Sequence, residues 1–188
     1  MALVLASESP RRRELLKRIC AEFEVVGSDA RELQLAECSS PEELVRRNAL
    51  LKAQAVSEQF PDKWVLGADT VVVMDNEVYG KPRDLAEAES FLQKFSGREH
   101  VVLTGLALVN AEMQKQESQV VTSQVRFRQL DKQRIKEYLT LVPVLDKAGA
   151  YGIQGRGLRL VKGIVGDFYN VVGFPAAEFI RTFGEELK

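Results

Sequence analysis

Leu3-Val-Leu-Ala-Ser-Glu-Ser-Pro-Arg-Arg-Arg13 runs an apolar strand into a Ser/Pro turn and then into a helix that opens on three arginines. Ser9 suits the N-cap, and Pro10 falls at the first helical position, where a missing N–H costs nothing. This strand–turn–helix is the first unit of an α/β pattern that the rest of the chain continues. The helix start presents unpaired backbone N–H groups and a partial positive charge. With Arg11, Arg12 and Arg13 added, the segment suits a ligand carrying several negative charges, a polyphosphate above all. The competing reading is a capped helix with a solvated basic face.

Outward from that segment, Leu15, Leu16 and Ile19 recur at helical spacing, and Phe23–Val26 reads as a short strand. A helix runs from Ser39 or Ser40 to about Gln59, opened by Pro41 and Glu42-Glu43. Trp64–Met74 is a nearly continuous apolar run, the pattern of a strand buried on both faces. Asp75-Asn76 is a turn signal, with Val78-Tyr79 as a short returning arm. Asp84 caps a helix with Ala88, Phe91, Leu92 and Phe95 inward, stopped by Gly97. His100–Val109 and Ser118–Phe127 are strands, the second alternating as a half-exposed antiparallel strand should. Asp131 opens a further helix to about Leu141. A glycine-dense loop, a strand over Leu158–Lys162, a turn and a last helix from about Pro175 complete the chain. The sum is an α/β fold with a mixed sheet, one domain over residues 1–188, and no linker.

The 188 residues carry 26 basic and 27 acidic side chains, so the surface as a whole is no nucleic-acid footprint and any anion site is local. Hydrophobic residues at 45% and charged residues at 28% are the balance of a soluble domain with a real core. Cys20 and Cys38 stand in no metal-like spacing and form no disulfide framework, which points to a reduced, cytoplasmic setting. The apolar run before the arginines is too short for a signal peptide or a membrane span.

Asp69 and Thr70 interrupt the most hydrophobic strand of the chain. An unpaired carboxylate buried there costs several kcal/mol, so Asp69 is paired or bound to a cation: it caps a neighbouring turn or pairs with an internal Arg, or else it binds a metal or works as a general base. Lys52 in mid-helix and Lys81 after the hairpin hold phosphates as point charges, or else are solvated. Glu32 is a further acidic candidate in a loop. Asp146-Lys-Ala-Gly-Ala-Tyr-Gly-Ile-Gln-Gly155 sets Tyr151 and Gln154 among three glycines, so that Tyr151 stacks on a base or belongs to the core. Gln154 both donates and accepts, as a nucleobase edge requires. The only histidine is His100, which removes Ser-His-Asp and Cys-His catalysis and a histidine-ligated zinc. No P-loop motif occurs. What remains is carboxylates, cations and an implied hard metal acting on phosphate: metal-assisted hydrolysis of a polyphosphate.

Ser7-Glu-Ser-Pro-Arg-Arg12, Gly67-Ala-Asp-Thr70, Gly80-Lys-Pro82, Ser96-Gly97, Thr104-Gly105, Asp146–Gly155 and Gly166-Asp-Phe-Tyr-Asn-Val-Val-Gly-Phe-Pro175 together resemble the Maf family of nucleoside triphosphate pyrophosphatases, in order and over nearly the whole chain. The resemblance implies an elongated mixed sheet flanked by helices, similar to the inosine triphosphate pyrophosphatase fold, with a cleft between two lobes. It implies hydrolysis of a nucleoside triphosphate to the monophosphate and pyrophosphate with a divalent cation, Mg²⁺ or Mn²⁺. By the same resemblance Asp69 is the proton acceptor, Glu32 helps to bind the metal with Asp69, and Ser7, Arg11, Arg12, Lys52 and Lys81 hold phosphates. A homodimer is also implied.

One branch of the family, similar to this chain at Arg11, Thr70 and Gln154, prefers dTTP and UTP. Another prefers 7-methyl-GTP and differs over the stretch that here reads Asp146–Gly155. The chain departs from the family pattern at Asp131-Lys-Gln-Arg-Ile135, which is more basic than in relatives, and at Arg13, read as solvated. Two other functions stay open: a pyrophosphatase for modified or purine nucleotides, and a nucleotide-binding regulator of septum formation and division.

Overall fold

The computed structural model describes residues 2–186. Seven strands form one sheet: β1 (Leu3–Ala6), β2 (Glu24–Val26), β3 (Trp64–Met74), β4 (Glu77–Tyr79), β5 (Glu99–Asn110), β6 (Lys115–Phe127) and β7 (Val161–Val165). Their order is β2-β1-β3-β5-β6-β7, with β4 paired to β3. Among the described residues six α-helices accompany them: α1 (Pro10–Lys17), α2 (Pro41–Ser57), α3 (Leu85–Phe95), α4 (Lys132–Leu141), α5 (Phe168–Val172) and α6 (Ala176–Phe183). The chain divides into two compact units. The first comprises residues up to Asp69, Thr104–Val121 and the chain from Gly173 on; the second comprises Thr70–Leu103 and Thr122–Val172.

In the first unit β1 lies parallel to both neighbours, pairing Val4 with Glu24 and Ala6 with Gly67. Helix α2 starts as expected, its Ser40 side chain accepting from Glu43 N with Pro41 at the first position. It packs Ala49, Ala53 and Val56 on Val4, Ala6, Val65, Ala107 and Val109, all buried. Two glycines let the helix lie this close. A Cβ on Gly67 would fall 2.1 Å from the Ala49 carbonyl oxygen, and one on Gly105 would fall 2.2 Å from that of Val45. The last helix buries Phe179 and Phe183 beside Phe174.

The second unit is built around rings. Phe95 stacks on His100 at 4.6 Å between centroids, and Tyr79, Phe127 and Tyr151 meet this pair edge to face. The β3–β4 hairpin turns at Asp75 and Asn76, both at positive φ, the backbone that a two-residue hairpin requires. Asp84 and Asp131 cap α3 and α4 through their side chains.

Three local expectations shift. Ile19 lies beyond the end of α1 and is exposed rather than on its buried face. The strand expected over Leu158–Lys162 begins at Val161, because Gly155–Arg159 coil into a 3₁₀ turn around a contact that only glycine permits. The short helix α5 sits where the sequence suggested a turn.

Candidate active site

Strand β1 ends at Ala6 opposite Gly67, whereas β3 runs on. From Ala68 the longer strand has lost that neighbour, and beyond the carboxyl end of β1 its backbone meets the β1–α1 turn, the usual place for a ligand site in an open α/β sheet. Ser9 caps α1, its Oγ accepting from Arg12 N at 3.5 Å. The buried Ser7 hydroxyl accepts from Ser9 N at 3.3 Å and from Arg12 Nη1 at 3.2 Å. Arg12 also donates through Nη1 to Ala68 O at 2.9 Å and through Nε to Gly173 O at 3.0 Å. Its guanidinium therefore ties the turn to β3 and to the segment before α6. Burial lowers the Arg12 pKa from its ordinary value, opposed by Asp69 and Glu32 and assisted by Arg11.

Asp69 is 7% exposed and is paired with a cation, as the apolar strand around it requires. Lys52 Nζ lies 2.7 Å from Asp69 Oδ1 and 2.7 Å from Glu32 Oε1, so one ammonium draws a strand carboxylate and a loop carboxylate together. Lys52 reaches them because α2 is seated on Gly67. One turn earlier on the same helix, Asn48 Nδ2 donates to Asp69 Oδ2 at 3.4 Å and to Leu33 O at 3.3 Å, while Asn48 Oδ1 accepts from Leu33 N at 2.8 Å. Asn48 is the residue that sequence reasoning missed. The signal was an amide four residues before Lys52, on a face whose other members, Leu44, Val45 and Ala49, are apolar.

Among the described residues no three His, Cys, Asp or Glu side chains cluster as a ready metal cage. Two hard carboxylate donors that already converge on one cation do suit Mg²⁺ or Mn²⁺, which take one or two carboxylates and complete their shell with phosphate oxygens and water.

Ser7, Arg12, Lys52, Glu32 and Asp69 are thus brought together in the first unit, with Arg11 beside Arg12 on α1. The second unit carries Thr70, Lys81 and Gln154. Gly149 N donates to Gly80 O at 3.0 Å, which fastens the hairpin end bearing exposed Lys81 to the glycine-dense loop bearing exposed Gln154. Tyr151 belongs to the core: it is 6% exposed, and its hydroxyl lies 2.8 Å from His100 Nε2, so it presents no face to a base. Ser96, in the Ser96-Gly97 motif, is structural, its hydroxyl accepting from Leu130 N at 2.7 Å. Gly97 adopts φ +72. No helix among the described residues is long and apolar enough to cross a membrane.

The family model described as Maf-like protein matches residues 2–186. The chain is 51% identical over 187 residues to the dTTP/UTP pyrophosphatase of Symbiobacterium thermophilum, covering 97% of this chain and 94% of that protein. It is 43% identical over 188 residues to the dTTP/UTP pyrophosphatase of Clostridioides difficile, covering 100% and 94%. In fold it resembles the Ham1 protein of Staphylococcus aureus, with a TM-score of 0.55 at 16% identity over the full length of both chains. A nucleoside-triphosphatase, a dITP/XTP pyrophosphatase of Mycobacterium abscessus, aligns with a TM-score of 0.50 at 15% identity, over 100% of this chain and 97% of that one. The chain belongs to the Maf-like protein family.

Proposed function

We propose that this protein hydrolyses pyrimidine nucleoside triphosphates, dTTP and UTP, to the monophosphate and pyrophosphate. The observation that carries the reading is Asp69: a buried carboxylate held by Lys52 in the middle of β3, just past the point where β1 ends, beside a capped, arginine-rich helix start. The names of the relatives supply the nucleotide class. Asp69 accepts a proton from water as its oxygen bonds the α-phosphorus. The bond from that phosphorus to the α,β-bridging oxygen breaks, and pyrophosphate leaves with the bridging oxygen. Ser7, Arg11, Arg12 and Lys52 hold the phosphates, Arg12 in part by keeping the turn rigid. Glu32 and Asp69 are the residues that would hold a divalent cation, which supplies charge neutralisation on the triphosphate when bound.

Lys81, Thr70 and Gln154 are the proposed substrate contacts of the second unit. Uracil and thymine present an N3–H flanked by carbonyls, and a Gln amide complements that edge. A mismatched base leaves a buried polar group unpaired, at about 1–3 kcal/mol each. The free thiols Cys20 and Cys38 support a reducing, cytoplasmic setting.

The direct test of the Asp69 role is Asp69→Asn assayed for both turnover and nucleotide affinity. Turnover falls by about 100-fold or more while affinity persists. Turnover that survives removes Asp69 from catalysis.

A further inference from the structure

Gln154 stands at the crest of a closed loop whose neck is formed by Gly152 and Gly157. A Cβ on Gly157 would fall 1.5 Å from the Gly152 carbonyl oxygen, so the two backbone strands touch and neither a side chain nor water fits between them. Across the crest, Gly157 N donates to Gln154 O at 3.1 Å, and Gly155 takes φ +57. Ile153 turns inward and is buried, which aims the next residue, Gln154, outward. One side chain from another element grips this neck. Tyr138, on α4 and 5% exposed, accepts from Gly152 N through its hydroxyl at 2.9 Å. The same hydroxyl lies 3.7 Å from the Cβ position of Gly157. Burial raises the Tyr138 pKa, which keeps the phenol neutral in ordinary buffers.

We propose that Tyr138 is a positioning residue for base selection, its hydroxyl fixing the Gly152–Gly157 neck and, through it, the side chain of Gln154. The inference rests on the reading of Gln154 as a base contact. A glutamine has three rotatable bonds, so its amide discriminates between base edges only if its backbone is held still, and a small misplacement is expensive. The loop supplies one part of that rigidity through the glycine contact. Tyr138 supplies the other from outside the loop, with no contact to the base itself.

The test compares Tyr138→Phe, Gln154→Ala and the double variant in the full-length protein, with kcat and KM for UTP, dTTP and CTP read by pyrophosphate release. Tyr138→Phe keeps the ring and its packing and removes only the acceptor. It lowers the kcat/KM preference for UTP over CTP about 5-fold, the worth of one hydrogen bond, and does so chiefly through the UTP KM. The double variant selects no worse than Gln154→Ala alone, because both changes act through one side chain. A Tyr138→Phe enzyme that is less thermostable, or slower on every nucleotide alike, with its preference intact while Gln154→Ala loses it, overturns the inference and leaves the base contact standing. A preference unchanged in Gln154→Ala overturns the base contact itself, and the inference with it.

Discussion

Lys52 Nζ lies 2.7 Å from Asp69 Oδ1, with both side chains largely withdrawn from water at 13% and 10% exposure. An ammonium and a carboxylate sharing so little solvent depend on each other, since removing either leaves an uncompensated buried charge. Replacing Lys52 by Met therefore leaves Asp69 without its cation and beside Glu32. The expected outcome is a loss of about 3 kcal/mol of stability together with turnover, read by denaturant unfolding and pyrophosphate release. Unchanged stability would mean that solvent screens the pair.

Asn48 holds the same carboxylate from the other side and spends its remaining bonds on Leu33, next to Glu32 in the chain. It bridges the two acids without being charged. Asn48→Ala is expected to lower kcat/KM about 10-fold for every nucleotide alike, since it loosens the acids and leaves the base contacts of the second unit alone. A change in base preference would contradict that division.

Much of this was legible in the sequence because it is local. Ser9-Pro10, Ser40-Pro41, Asp84 and Asp131 start helices by side chains that reach only three residues ahead, so spacing alone reveals them. Asp69 was legible because a carboxylate in an apolar strand needs a reason. What stayed hidden depends on distant partners. Arg12 is bound to Gly173, far along the chain, so a run of arginines looks solvated or phosphate-binding until the turn is closed on it. Tyr151 looks like a stacking platform in the sequence, but its hydroxyl is satisfied by His100, fifty-one residues away along the chain. Asn48 stands out only as one amide on an apolar helix face, and nothing local names its partners, Leu33 and Asp69. The Gly152–Gly157 contact displaced β7 from its expected start, which no alternation of residues announces.

His100 offers a clean pH probe because it is the only histidine. Stacked on Phe95, with Nδ1 buried and no hydrogen-bond partner for it among the described residues, it is held neutral by burial, and its pKa falls from 6.5 to about 4. The unfolded chain therefore binds the proton more readily than the folded one. Above pH 6.5 the group does not affect stability; between 6.5 and about 4 acid destabilises the protein, by an amount on the order of 3 kcal/mol when complete. The single imidazole resonance in a proton NMR titration should stay unshifted from pH 8 to 5.5, and a midpoint near 6.5 would show an open ring.

Gly105 and Gly67 set the height of α2 above the sheet. Gly105→Ala forces a methyl group into the Val45 carbonyl, and a rigid helix backbone has no side-chain rotation with which to yield. Destabilisation of about 3 kcal/mol or more is expected, seen as a lower thermal midpoint. Gly67→Ala lifts the helix next to Lys52 and should also reduce turnover; full activity in that variant would separate the height of α2 from the Lys52–Asp69 contact.

The most direct test of the central claim is pyrophosphate release by the unaltered protein from the eight standard ribo- and deoxyribonucleoside triphosphates and 7-methyl-GTP, with Mg²⁺ or Mn²⁺ and again with chelator. Turnover of dTTP and UTP well above the purines is expected, abolished by chelator and restored by the metal. Preference for 7-methyl-GTP or for purine nucleotides would contradict the base assignment, and binding without hydrolysis of any nucleotide would contradict the catalytic one.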